Sequence, residues 1–229
     1  NPRLVDVTAN ATYTAYFAPN RHTITWLNWD NSELYKAEFD YGTTPVYGGA
    51  VPTKPADAQY TYTFDSWSPN IHPVEGDDVY TAVFSKTVNQ YTVTFKNHDG
   101  SVLQSTSVAY GETPVYTGTA PTKPATDQYT YTFSGWDKEI AAVTGDVVYT
   151  AQFDATVNKY TITFNNWDGT TLATYEVEYG QTPVYAGEVP TKAATAEHTY
   201  TFSGWSPAIA TVTGDATYTA TFSSDVNSY

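Results

Sequence analysis

The chain has 229 residues, enough for one or two ordinary domains, and its 41% apolar residues include 21 Tyr, 10 Phe and 6 Trp beside no Met and no Cys. A formal net charge of −14 argues against nucleic acid or an anionic membrane as a partner, because both demand a cationic surface. The missing cysteines exclude disulfides and thiol catalysis, and no apolar run reaches the roughly 18 residues of a membrane span.

Internal repetition organises everything else. Trp67, Trp136 and Trp205 are evenly spaced, and "TPVY" recurs at 44–47, 113–116 and 182–185 on the same 69-residue step. Taken in chain order, residues 1–21 are the C-terminal stub of a preceding repeat, since "VTANATYTAYF" (7–17) matches "VTGDATYTATF" (212–222). Repeat 1 is 22–90, repeat 2 is 91–159 and repeat 3 is 160–228; Tyr229 opens a further copy. With Asn1 at the start and no sorting signal legible, we expect a processed product or a segment of a longer array. The stub's last strand must pair with repeat 1, pair with another molecule or stay frayed.

Within repeat 2, "YTVTFKN" (91–97) alternates Tyr91, Val93 and Phe95 with threonines and predicts a strand. Asp99-Gly100 predicts a hairpin turn, and "SVLQSTSVAYG" (101–111) is the second strand. Residues 112–127 are rich in Pro, Thr and Gly. Glu112-Thr113-Pro114 predicts one helical turn with Pro114 at its first position, and Pro121 and Pro124 forbid a longer helix. "QYTYTFSGW" (128–136) is the third strand, and "TGD" (144–146) turns into the fourth, "VVYTAQF" (147–153). The six-residue linkers "SKTVNQ" (85–90) and "DATVNK" (154–159) are nearly alike, which favours a fixed relation between neighbouring repeats and shared stability.

Aromatics occupy one face of each strand and Thr, Gln, Glu or Ser the other, as in a sheet with one wet face. The dry face needs a cover, for which 112–127 is the candidate within the unit. The expected fold is therefore α+β and strand-dominated: tandem β-grasp-like (ubiquitin-like) repeats, each a small four-stranded sheet covered by a short helical or irregular segment. Tyr129, Tyr131 and Phe133 read as core. Strict alternation puts Trp136 on the opposite face, unless a bulge at Ser134-Gly135 rotates it inward.

These elements, in this order, resemble the Listeria–Bacteroides repeat, also called the internalin-type B repeat. The shared residues are Tyr91 to Phe95, Asp99-Gly100, Tyr110-Gly111, "APTKP" (120–124), Phe133 to Trp136 and Tyr149 to Phe153, and the match spans all three repeats and the stub. The resemblance implies a β-grasp-like module in a secreted or cell-wall-attached bacterial surface protein, where such repeats extend or support other domains. Some members are basic and associate with host glycosaminoglycans. At −14 this chain departs from them, so that property is not transferred.

Catalysis has little to stand on. Glu176 and Glu178 share a strand face, with Glu38 and Asp40 equivalent in repeat 1, but repeat 2 has Ser107 and Ala109 there. His22, His72, His98 and His198 hold four different repeat positions without metal-ligand spacing. Asp30, Asp99 and Asp168, beside Asn28, Asn97 and Asn166, offer hard oxygens suited to a weak Ca²⁺ site, but hairpin chemistry explains them more simply. Lys54, Lys123 and Lys192 are cations kept in all three repeats; an isopeptide crosslink would need them buried, and they lie in proline-rich loops. We therefore expect no enzyme, no cofactor and no metal.

Two functions compete, and a third, an accessory region of a large secreted enzyme, is compatible with both. The first is an extracellular spacer or stalk, partnered by its own neighbouring repeats, that holds other domains of a larger protein off the cell wall. Compact-domain scaling gives about 28 Å per repeat, or about 80–90 Å for three in line. The second is a multivalent adhesin for glycan or a host surface protein. Its candidate binding residues are Trp67, Trp136 and Trp205, with Trp29, His98 and Trp167 as a second row.

Overall fold

The computed structural model describes residue 10 and residues 12–228. They form twelve strands. In repeat 1 these are β1 (Arg21–Leu27), β2 (Glu33–Asp40), β3 (Tyr60–Ser68) and β4 (Asp78–Val88). Repeat 2 has β5 (Gln90–Lys96), β6 (Val102–Ala109), β7 (Tyr129–Trp136) and β8 (Val147–Val157). Repeat 3 has β9 (Lys159–Asn165), β10 (Thr171–Glu178), β11 (His198–Ser206) and β12 (Ala216–Val226).

Each repeat is one four-stranded sheet, in the orders β2-β1-β4-β3, β6-β5-β8-β7 and β10-β9-β12-β11. The pairings β1–β2, β3–β4, β7–β8, β9–β10 and β11–β12 are antiparallel. The central pair is parallel and keeps one register, with Ile24 opposite Asp78, Val93 opposite Val147 and Ile162 opposite Ala216.

No helix occurs among the described residues, so the expected α+β, β-grasp-like unit is corrected to all-β. The helical turn expected at Glu112-Thr113-Pro114 is irregular chain. The physical reason lies in the prolines. Pro45, Pro114 and Pro183 are buried, as are Pro52, Pro121 and Pro190, so these six serve as filling rather than as the first residue of a helix.

The core repeats as strictly as the strands do. Beside these prolines, its buried residues are five positions written three times: Ile24, Val93 and Ile162; Trp26, Phe95 and Phe164; Val74, Val143 and Val212; Tyr80, Tyr149 and Tyr218; Ala82, Ala151 and Ala220. The valine of each set lies in the second crossing, between the third and fourth strands, which therefore also covers the sheet. It is pinned by backbone bonds: Gly42 N–H donates to Val74 O and Val74 N–H to Thr43 O, with the same pair at Gly111, Val143 and Glu112 and at Gly180, Val212 and Gln181. Tyr47 and Tyr185 of "TPVY" pack on the clusters built around Trp26 and Phe164.

Tyr129, Tyr131 and Phe133 are half-buried rather than core, because β7 is the outermost strand. Trp136 does turn inward. The β7–β8 register shifts between Phe133 and Gly135, bringing Trp136 opposite buried Ala151 and on the same face as Phe133. Gly135 takes φ 134°, a region that L side chains rarely adopt.

The expected linkers are strand. Only Asn89 separates β4 from β5, and only Asn158 separates β8 from β9. The described chain forms two compact units: Tyr91, Val108–Glu112 and Ala142–Gly145 group with repeat 1, while Thr92–Ser107, Thr113–Ala141 and everything from Asp146 form the other. In the first, Asn89 Nδ2 donates to Asp57 O and Ala58 O, and the Tyr91 hydroxyl donates to Ala58 O at 2.6 Å. In the second, Asn158 Nδ2 donates to Thr126 O and Asp127 O, and the Tyr160 hydroxyl to Asp127 O. Asn227 treats Thr195 O and Ala196 O in the same way. Of the stub, residues 12–20 form no strand, and Tyr16 and Phe17 are exposed. Residues 1–9, 11 and 229 lie outside the described residues; of the stretch 7–17 that matches 212–222, residue 10 and residues 12–17 are described.

Candidate functional site

The two rows of candidate binding residues separate by depth. Trp67, Trp136 and Trp205 pack against the aromatic cores. Trp67 lies 4.8 Å from Tyr47 and 5.2 Å from Phe64 between ring centroids. Trp136 meets Phe95 at 4.7 Å and Tyr116 at 5.0 Å, and Trp205 meets Phe164 and Tyr185 at the same distances. Each closes the gap between its sheet and the first crossing.

The second row stands on the tips of the first hairpins. The tip is built by Asp30, Asp99 and Asp168, whose carboxylates accept the backbone N–H and the hydroxyl of Ser32, Ser101 and Thr170. Those hydroxyls first, and the backbone N–H groups second, hold the three carboxyls below the usual aspartate range. Asn31, Gly100 and Gly169 take the left-handed position that the turn requires. Asn28, Asn97 and Asn166 donate through Nδ2 to Thr53 O, Thr122 O and Thr191 O, which ties each hairpin to the first crossing. Hairpin chemistry therefore accounts for the aspartate carboxylates and for the amide nitrogens of this tip. Among the described residues no three His, Cys, Asp or Glu side chains come together as a metal site.

On these tips Trp29 and Trp167 remain 44% and 48% exposed. Each lies beneath a lysine: Lys54 Nζ is 5.0 Å from the Trp29 ring and 4.0 Å from the Tyr62 ring, and Lys192 Nζ is 4.7 Å from Trp167 and 4.1 Å from Tyr200. The Tyr62 hydroxyl donates to Asp57, and that bond raises the tyrosine above its ordinary value and lowers the aspartate. In repeat 2 the lysine keeps its tyrosine, with Lys123 Nζ 3.8 Å from Tyr131, while His98 turns edge-on to Phe153 at 5.5 Å. So the described surface presents two Trp–Lys–Tyr clusters, in repeats 1 and 3. The lysines' part in them is missed by sequence reasoning; their 69-residue recurrence is the signal for it.

The remaining candidates are engaged locally. Glu176 accepts the Thr161 hydroxyl at 3.0 Å, Glu178 faces Lys159 at 3.8 Å, and Arg21 reaches both Glu38 and Asp40. His72 pairs with Asp78 at 3.0 Å, and His22 lies 3.6 Å from Asp77.

No family model matches the chain, so the resemblance to the Listeria–Bacteroides repeat rests on its motifs alone, and no curated protein matches it either. Among solved structures it is similar to Streptococcal High Identity Repeats in Tandem (SHIRT) domains 3–4 from a cell surface protein. The identity is 18%, 60% of this chain and 98% of that chain are covered, and the TM-score is 0.29. At that score the overlap carries no argument about fold or function, which rests instead on the chain's own repeat geometry.

Proposed function

We propose that this chain is a non-catalytic tandem-repeat spacer that presents other domains of a larger bacterial surface or secreted protein. The carrying observation is that three sheets with one strand order and one central register follow each other with a single asparagine between the last strand of one and the first strand of the next. A flexible tether would place Gly- or Ser-rich chain at these points; here the chain stays in strands. The partners in this reading are the neighbouring repeats, and the surface setting is the one that the Listeria–Bacteroides resemblance implies.

Spin labels test it. Thr132→Cys and Thr201→Cys place labels at equivalent exposed sites of repeats 2 and 3 in a chain with no cysteine of its own. A spacer requires one narrow distance distribution between them, and a broad one would sink the proposal.

The exposed Trp29 and Trp167 favour a second reading, a glycan- or host-protein-binding array, since a flat indole beside an ammonium suits a sugar face with polar substituents. Its test is acrylamide quenching of tryptophan fluorescence during titration with cell-wall and host glycans. Protection that Trp29→Ala with Trp167→Ala abolishes would support binding; emission indifferent to every glycan would end it.

A further inference from the structure

We propose that each repeat resists tension, and that its holding element is the central parallel ladder together with one aspartate. The inference rests on the spacer reading, because a spacer under pull is where the property would be used. The chain enters a repeat through β1 and leaves through β4, and these two strands are direct neighbours in the middle of the sheet. Since they run parallel, the start of β1 and the end of β4 lie at opposite ends of the sheet. Tension along the chain therefore drags the strands past each other along their own axes. The bonds between them are loaded together, whereas an antiparallel hairpin pulled from its open end yields one bond at a time. The same holds for β5 with β8 and β9 with β12.

The aspartate extends this ladder. Asp77 Oδ1 accepts the Thr23 N–H at 2.8 Å, Asp146 the Thr92 N–H at 2.7 Å and Asp215 the Thr161 N–H at 2.8 Å. Each bond joins the residues immediately before the first ladder pair. It lies where the pull enters the repeat, and a charged acceptor makes it stronger than a neutral pair. Beneath it Ile24 and Trp26 are wholly buried, as are Ile162 and Phe164, so water has no ready access to replace the strained bonds. These aspartates belong to the turn "TGD" in repeats 2 and 3 and to "EGDD" in repeat 1. A turn needs a small polar residue there, but not one aimed at the opposite strand.

Single-molecule pulling of the full chain from its ends decides the matter. We expect three unfolding events, each releasing about 200 Å of chain. Asp146→Ala should raise the unfolding rate of one repeat about tenfold at fixed force, and Asp146→Asn, which keeps a neutral acceptor oxygen, should restore about half of the loss. A second geometry removes dependence on any one variant's folding. Handles on Thr92→Cys and Val148→Cys grip both strands at the same end of the sheet and peel repeat 2 open, which should need markedly less force. Equal force in the two geometries, or no response to Asp146→Ala, would overturn the proposal. Neither result bears on the label distances that test the spacer reading, so the two failures are distinguishable.

Discussion

Removing the ring of Trp136 takes away its packing on Phe95, Tyr116 and Phe133. We expect Trp136→Ala to cost about 3 kcal/mol by urea unfolding, as for other large-to-small changes against a core. Trp167→Ala, at an exposed hairpin tip, should stay within about 0.5 kcal/mol. Equal costs would mean that depth does not separate the two rows. The hairpin aspartates give a pH prediction. Asp30, Asp99 and Asp168 titrate lower in the folded chain than when unfolded, so each contributes stability that is complete above the ordinary aspartate value. That stability is lost as the pH falls through the lowered, folded value. The urea midpoint should hold from neutrality to about pH 5 and fall below about pH 4. Replacing all three by Asn should flatten that fall, and an unchanged profile would show that other carboxyls cause it.

Among elements, the bulge in the third strand makes the clearest demand. A methyl group added at Gly135 would meet open space, so the cost of Gly135→Ala comes from the backbone at φ 134° alone, about 1–2 kcal/mol. Tryptophan emission shifted toward that of exposed Trp would accompany it if the bulge relaxes, and a variant as stable as the parent would refute the strain argument. This bulge was legible in the sequence, because alternation fails between Phe133 and Trp136 and a glycine stands in the gap. The strands and the first hairpins were legible from period-two patterning and the Asp-Gly turns, and their recurrence from the 69-residue step. The covering segments were not. A proline after Glu-Thr reads as a helix start, and nothing local says that Pro114 and Pro121 will be buried as filling. The crossing that carries Ile140 and Val143 has no period to betray it. The Trp–Lys–Tyr clusters were only half legible, since a loop lysine and a strand tyrosine meet through the fold and not through spacing.

At the scale of the molecule, the second unit holds the junction of repeats 2 and 3 through Asn158 and Tyr160. In the second unit Asn158 donates twice to the Thr126–Asp127 loop and accepts from the Thr130 hydroxyl. Asn158→Ala should cost about 1 kcal/mol, given that these groups are exposed and water takes the lost bonds, and should broaden the label distances between repeats 2 and 3. Residues 160–228 alone would leave the Tyr160 hydroxyl without Asp127, so their urea midpoint should lie below that of the full chain. Identical midpoints would show that the repeats do not share stability.

The length of a repeat follows from the same ladder. Three strand steps from Arg21 to Ile24 and ten from Asp78 to Val88 put the ends of repeat 1 about 43 Å apart along the strand axis, at about 3.3 Å per step. That exceeds the roughly 28 Å of compact-domain scaling, because the outgoing strand runs on past its partner.

The central pairing also sets a timetable. Its partners, such as Thr23 and Asp77, stand 54 positions apart, so contact order is high and closure is slow compared with the local hairpins on either side. A chain emerging from the ribosome can form the hairpin of β1 and β2 at once, but the middle of the sheet stays open until the fourth strand arrives. That strand leads directly into the following repeat, so the nascent array gains native structure in whole-repeat increments, from the N-terminal side onward.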